Sequence, residues 1–99
     1  NIPVAGFQIT VKHGTRFGIM GQVRDIRVSV LYQNEKKEIE SQEIVSHYVI
    51  PKVDDETSLI YDFKERYKDV SAVRFQYLST HGAPEMSLPS IILYDSNMD

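Results

Sequence analysis

Cysteine is absent from the 99-residue chain, and so is tryptophan. Without thiols there is no disulfide framework, no thiolate zinc site and no cysteine nucleophile. Glycine (5) and proline (4) are sparse, which excludes collagen-like and low-complexity arrays. No apolar run approaches the roughly 20 residues that cross a bilayer as a helix, and no basic-then-apolar start resembles a signal peptide. The first residue is Asn1 rather than Met, the expectation for a processed chain or a segment cut from a longer one. Positive charge is not in excess either: 11 Lys plus Arg stand against 14 Asp plus Glu, for a net charge of -3. Arg16, Arg24, Arg27, Lys36, Lys37, Arg66, Lys68 and Arg74 are scattered rather than gathered in a stripe. Each phosphate contact needs a cation, so no nucleic-acid partner is expected. The lack of cysteine suits either redox compartment and assigns no localisation.

What is present is an ordinary globular balance, 41% hydrophobic and 25% charged, at a length that makes one domain spanning residues 1–99. The dominant pattern is alternation with period two, the signature of a strand with one face on a core and the other in water. Ile26, Val28, Val30 and Tyr32 share one face; Asp25, Arg27 and Ser29 take the other, with Leu31 the apolar exception exposed among them. Phe7, Ile9 and Val11 alternate with Gln8, Thr10 and Lys12, and Val73, Phe75 and Tyr77 with Arg74 and Gln76. Leu59 to Phe63 and Ile91 to Tyr94 are denser apolar runs, expected to be strands covered on both faces or at the centre of a sandwich. Ten Val and ten Ile, each worth roughly 1.5–3 kcal/mol when fully buried, supply enough apolar surface for a freestanding core.

Breakers separate these runs. His13 to Phe17 with Gly18 and Gly21, Asn34-Glu35-Lys36-Lys37, Pro51 to Glu56, and Thr80 to Pro84 all read as turns, with the second a hairpin tip. Helix is the minority element. Glu35 to Val45 is rich in Glu and Lys, but Ile39, Ile44 and Val45 form no continuous stripe at helical spacing, and Asp62 to Val70 has room for one turn. The expectation is an all-β fold, an antiparallel β-sandwich or jelly roll of about six to seven strands.

No pattern fixes a reaction. Gly-x-Ser-x-Gly does not occur, so a Ser-His-acid triad would be a chance collection. The glycines of His13 to Gly21 lack the Lys-Ser/Thr of a phosphate loop. His13, His47 and His81 are too far apart for a zinc pair, and imidazoles held by ordinary hydrogen bonds are the simpler expectation. Asp54-Asp55-Glu56 offers oxygens to calcium but lacks the glycine-punctuated spacing of a calcium loop. No catalytic residue, no metal ligand and no cofactor is assigned, and the chain is not expected to be an enzyme. Loops mixing aromatic and polar residues are the candidate binding elements, because an aromatic ring meets the apolar face of a sugar while polar groups fix its hydroxyls. Tyr48 beside His47, Tyr61 beside Asp62 and Tyr67 between Arg66 and Lys68 are of this kind. The ligand-binding candidates are His13, Arg16 and Phe17 in the first loop and His81 and Glu85 around the Gly82-Ala83-Pro84 turn.

Asp62-Phe63, Asp69-Val70-Ser71-Ala72-Val73-Arg74-Phe75 and Leu88-Pro89-Ser90-Ile91-Ile92-Leu93-Tyr94 together resemble the closing strands of discoidin-type (coagulation-factor type C) jelly-roll modules. There an aromatic-ended strand precedes an apolar-Val-Arg strand, and the last strand ends in Tyr. Val4 to Val11 and Val23 to Tyr32 with the turn at Asn34 are similar to that family's middle strands. The resemblance covers about two thirds of these residues, in motifs that many β-sandwiches share. It implies a non-catalytic module that binds glycans, lipid head groups or proteins through loops at one end, which here are His13 to Phe17 and Thr80 to Glu85. The family's acidic contribution to a calcium site is replaced by Ser90. Recognition of carbohydrate by these loops is the leading functional expectation. The alternative is a protein-interaction or structural domain using a sheet edge or face, suggested by Leu31 and the Tyr48-Val49-Ile50 run.

Overall fold

The structure, a computed structural model, describes residues 2–11, 18–84 and 86–95. Among these residues six strands follow in order: β1 (Ile2–Val11), β2 (Val23–Gln33), β3 (Ile39–Val49), β4 (Thr57–Val70), β5 (Ala72–Thr80) and β6 (Ser90–Tyr94), with a 3-10 turn at Gly18–Gly21 before β2. They form two three-stranded sheets, β4-β1-β6 and β3-β2-β5, in which every neighbouring pair is antiparallel. The all-β sandwich read from the alternation is therefore the fold, with β1 and β2 as the two central strands.

Alternation sets the layers. Phe7, Ile9 and Val11 of β1 and Ile26, Val28 and Val30 of β2 are buried between the sheets, while Gln8 and Thr10 look outward with partial exposure. Phe7, with no exposed surface, is ringed by aromatics from both layers. It stacks on Tyr61 of β4 at 5.4 Å and meets Phe75 of β5 edge-on at 5.2 Å, with Phe63 at 5.9 Å and Tyr48 at 6.3 Å. Such pairs add about 0.5–1.5 kcal/mol each beyond area burial.

The β2–β3 hairpin turns at Asn34 as its sequence suggests. The Asn34 side-chain oxygen accepts from the backbone N–H groups of Lys36 and Glu38, each at 2.9 Å, and Lys37 takes a left-handed φ of 64°. This side-chain mimicry of a backbone turn is what Asn supplies at such positions.

Three expectations are corrected. Leu59 to Phe63 and Ile91 to Tyr94 do not lie at a sandwich centre: β4 and β6 are the two edges of one sheet, with β1 between them. Ile60 and Ile92 are 49% and 55% exposed as a result. Asp62 to Val70 holds no helical turn; the polar residues there ride on irregular strand. While β1 advances from Val4 to Gly6, β4 runs from Tyr67 to Asp62, and a second irregularity separates Tyr67 from Val70, where Asp69 has a φ of 56°. Leu31 is half-buried rather than exposed, since Ser41 and Ala72 flank it on the neighbouring strands.

The bulge explains Gly6. A Cβ there would run into the carbonyl oxygen of Tyr61 and lie 3.2 Å from the Asp62 Cα, both backbone atoms of the adjacent strand. Gly6→Ala is expected to cost about 1–3 kcal/mol by forcing β1 and β4 apart, seen as a lowered midpoint in urea titration.

Candidate functional site

Three connections gather at one end of the sandwich: the segment before β2, the β3–β4 loop and the β5–β6 loop. Among the sequence candidates, His13, Arg16, Phe17 and Glu85 lie outside the described residues. His81 is described, and its ring points into the protein's own backbone. Its Nε2 lies 2.7 Å from the carbonyl oxygen of Ile50; because a carbonyl only accepts, Nε2 carries the proton and donates. The organiser of this end is Gln22, 1% exposed. Its Nε2 donates to the Val53 carbonyl at 2.8 Å and its Oε1 accepts from the Val53 N–H at 3.0 Å. Its backbone carbonyl accepts from the His81 N–H at 3.1 Å. Gln22 thus fastens the β3–β4 loop and the β5–β6 turn to the start of β2.

The tyrosines expected to stand in loops lie on strands. Tyr48 is on β3, and Tyr61 and Tyr67 are on β4, all packed against the core. Their charged sequence neighbours are the outward residues of edge strands, which in sequence look the same as loop residues. Tyr61, Phe63 and Tyr67, with Ile44 and Lys64, line a cleft of about 120 Å³ between the β3 and β4 edges. Pockets for small ligands run to about 300–1,000 Å³, so this cleft has the dimensions of a single side chain.

On the outer face of β3-β2-β5, Asp25 holds two partners. The Ser79 hydroxyl donates to Oδ2 at 2.5 Å, and His47 Nε2 lies 2.7 Å from Oδ1. The acid sits between the serine and the histidine, so the imidazole takes no proton from the hydroxyl, as a nucleophilic triad would require. His47 and His81 do not converge on a shared carboxylate. The Ser79 hydrogen bond, ahead of the attraction of His47 and Arg24, holds the Asp25 carboxyl below its ordinary 3.8 despite the opposing effect of burial. A carboxyl whose pKa is lowered on folding contributes stability above its unfolded value, and the contribution is lost as pH falls through the folded value. The melting temperature is therefore expected to drop on acidification below about 3.8, and Asp25→Asn is expected to flatten that acid limb in a pH series of thermal melts.

The opposite outer face, on β4-β1-β6, has a different character. Register sets Ile60 and Ile92 on either side of Gln8, and Ser58 and Ser90 on either side of Thr10. The Tyr94 hydroxyl donates to Gln8 Oε1 at 2.5 Å, and the Thr10 and Ser58 hydroxyls share a hydrogen bond of 2.9 Å. Arg66 Nε, on the β4 bulge, donates to the Asp95 carbonyl at 2.6 Å, tying the end of β6 down.

The four strand edges of the two sheets are not equivalent. β3 carries Glu40 and Glu43 and shifts register twice against β2. β4 carries Lys64, Glu65, Arg66 and Lys68 and is bulged beyond Asp62, while its first five residues, Thr57 to Tyr61, are uncharged and in regular register with β1; β5 carries Arg74 and shifts register only beyond Tyr77. Charges and bulges are the usual devices that keep an edge from pairing with another chain. β6 has neither: Ser90-Ile91-Ile92-Leu93-Tyr94 is uncharged, and it pairs with β1 in unbroken register. Its sequence signal is an apolar run with no charged residue inside it, a pattern that a buried strand shares. The class defined by this arrangement is an antiparallel all-β sandwich in which, among the described residues, β6 carries neither a charge nor a register shift. No family model matches the chain, and neither a curated protein nor a solved structure matches it.

Proposed function

We propose that this chain is a non-catalytic interaction domain that recognises a protein partner by accepting an extended strand along β6. The observation that carries the reading is that β6 is uncharged and regular along its whole length, whereas each of the other edge strands carries charge and a register shift along part of it. Unpaired N–H and C=O groups give affinity in strand addition, and alternating side chains give specificity. The exposed Ile92 and Leu93 supply the apolar part. A binding role is also what the resemblance to discoidin-type modules implies.

The test is a displayed library of random peptides selected on the immobilised domain, with binders located by amide hydrogen exchange. Selection of extended peptides that slow exchange in Ser90 to Tyr94 is the expected result. Carbohydrate recognition by the loops is the competing reading, and His81 is its one described anchor. A domain that binds sugars on a glycan array, and whose β6 amides no peptide protects, would replace our proposal with that one.

A further inference from the structure

We infer that the strand accepted by β6 is the β6 of a second copy of this chain, joining two three-stranded sheets into one continuous sheet across a two-fold axis at Ile92. The inference rests on the reading of β6 as a strand-accepting edge and names its occupant.

The strand is self-complementary when run antiparallel about its middle residue. Ile92 then faces Ile92 of the second copy, Ile91 faces Leu93, and Ser90 faces Tyr94. Asp95 falls opposite Pro89, so no like charges meet. Both faces gain from the pairing. Ile92, in register with the outward Gln8, is 55% exposed and would be covered by its own counterpart. Leu93 and Ile91 are in register with the inward Phe7 and Ile9, yet Leu93 is still 37% exposed, because β6 lies at the margin of its sheet. The cross-strand pair Leu93–Ile91, made twice, closes that margin. Directly opposed side chains approach to about 4.5–5.5 Å between Cβ atoms, near enough for full apolar contact.

Self-pairing at the other edges meets obstacles. On β3 it would bring Glu40 and Glu43 toward their counterparts in a chain of net charge -3, and like charges across a strand pair are destabilising. On β4 the bulge interrupts the ladder beyond Asp62, and pairing the regular stretch Thr57 to Tyr61 about Leu59 would set Glu56 against Asp62; on β5 the regular stretch Ala72 to Tyr77 carries Arg74, and the register shifts beyond it. An interface built on one five-residue strand is at the small end of the range, so association in the micromolar rather than the nanomolar regime is expected.

Sedimentation equilibrium over a concentration series tests this with the intact chain. The wild type should shift from monomer to dimer as concentration rises. Ile92→Lys, which sets two ammonium groups against each other at the axis, should remain monomeric at every concentration while keeping its circular dichroism. Ile60→Lys, on the same face but on β4, should dimerise like the wild type. A second measurement uses the absence of native cysteine: Ile92→Cys should form a disulfide-linked dimer on mild oxidation, and Ile60→Cys should not. If Ile92→Lys fails to fold, the cysteine pair decides alone. A dimer that survives Ile92→Lys overturns the inference, as does a wild type that is monomeric throughout. A strict monomer whose β6 amides are still protected by library peptides overturns only the second copy and leaves strand acceptance standing. A monomer that captures no peptide removes both.

Discussion

Phe7→Ala is expected to destabilise the domain by about 3–5 kcal/mol, the range for deleting a buried aromatic ring. The upper part of that range applies because the cavity cannot close easily. Phe7 is held between Tyr61 and Phe63 of its own sheet and Tyr48 and Phe75 of the facing one, and four rings fixed on three strands cannot all move inward. Domains of this size are stable by about 5–15 kcal/mol, so the variant would sit near the edge of folding. A fall of more than about 10 °C in Tm is the matching thermal signature. Phe7→Leu, which keeps most of the volume, should cost roughly 1–1.5 kcal/mol. Urea titration of both variants checks the pair; a Phe7→Ala loss no larger than that of Phe7→Leu would show that the core is centred elsewhere.

Gln22→Met should cost about 2–4 kcal/mol, because it fills nearly the same space but leaves the Val53 N–H and C=O without their partners. Both of those bonds come from one buried amide, so no other side chain compensates. The effect should be visible in a local measurement as well as in the global one. Amide exchange at Val53 and His81 should accelerate beyond what the overall loss of stability explains, since the Gln22 backbone also accepts from the His81 N–H. Exchange that rises uniformly through the chain would assign Gln22 to the general core rather than to this junction.

The class of fold was legible because the alternation is strict where it matters. Ile26, Val28 and Val30 are buried as their spacing indicated, and the turn at Asn34 carries the hydrogen bonds its residue type suggests. Position within a sheet was not legible. An apolar run such as Leu59 to Phe63 is the same string whether its strand is central or at an edge, and the pairing partner, distant in sequence, decides which. The supposed helical turn in Asp62 to Val70 failed for a related reason: a bulge against β1 accommodates the extra polar residues, and local propensity does not register it. Tyr48, Tyr61 and Tyr67 were misplaced because their neighbours His47, Asp62, Arg66 and Lys68 face outward on the edge strands β3 and β4, and such polar neighbours look the same in a loop. The unprotected edge was hidden by the run that makes it, since Ile91 to Leu93 looked like interior.

The central place of β1 has a consequence for how the molecule is made. β2 and β3 are joined by a short turn and can zip together as soon as both exist, whereas both neighbours of β1 lie downstream of that hairpin. During synthesis Phe7, Ile9 and Val11 wait without a partner until β4 has left the ribosome, and the sheet closes only when β6 follows. Long-range closure of this kind slows folding toward the millisecond-to-second range, and it leaves an apolar segment open to chaperones, or to a neighbouring nascent chain, throughout that interval.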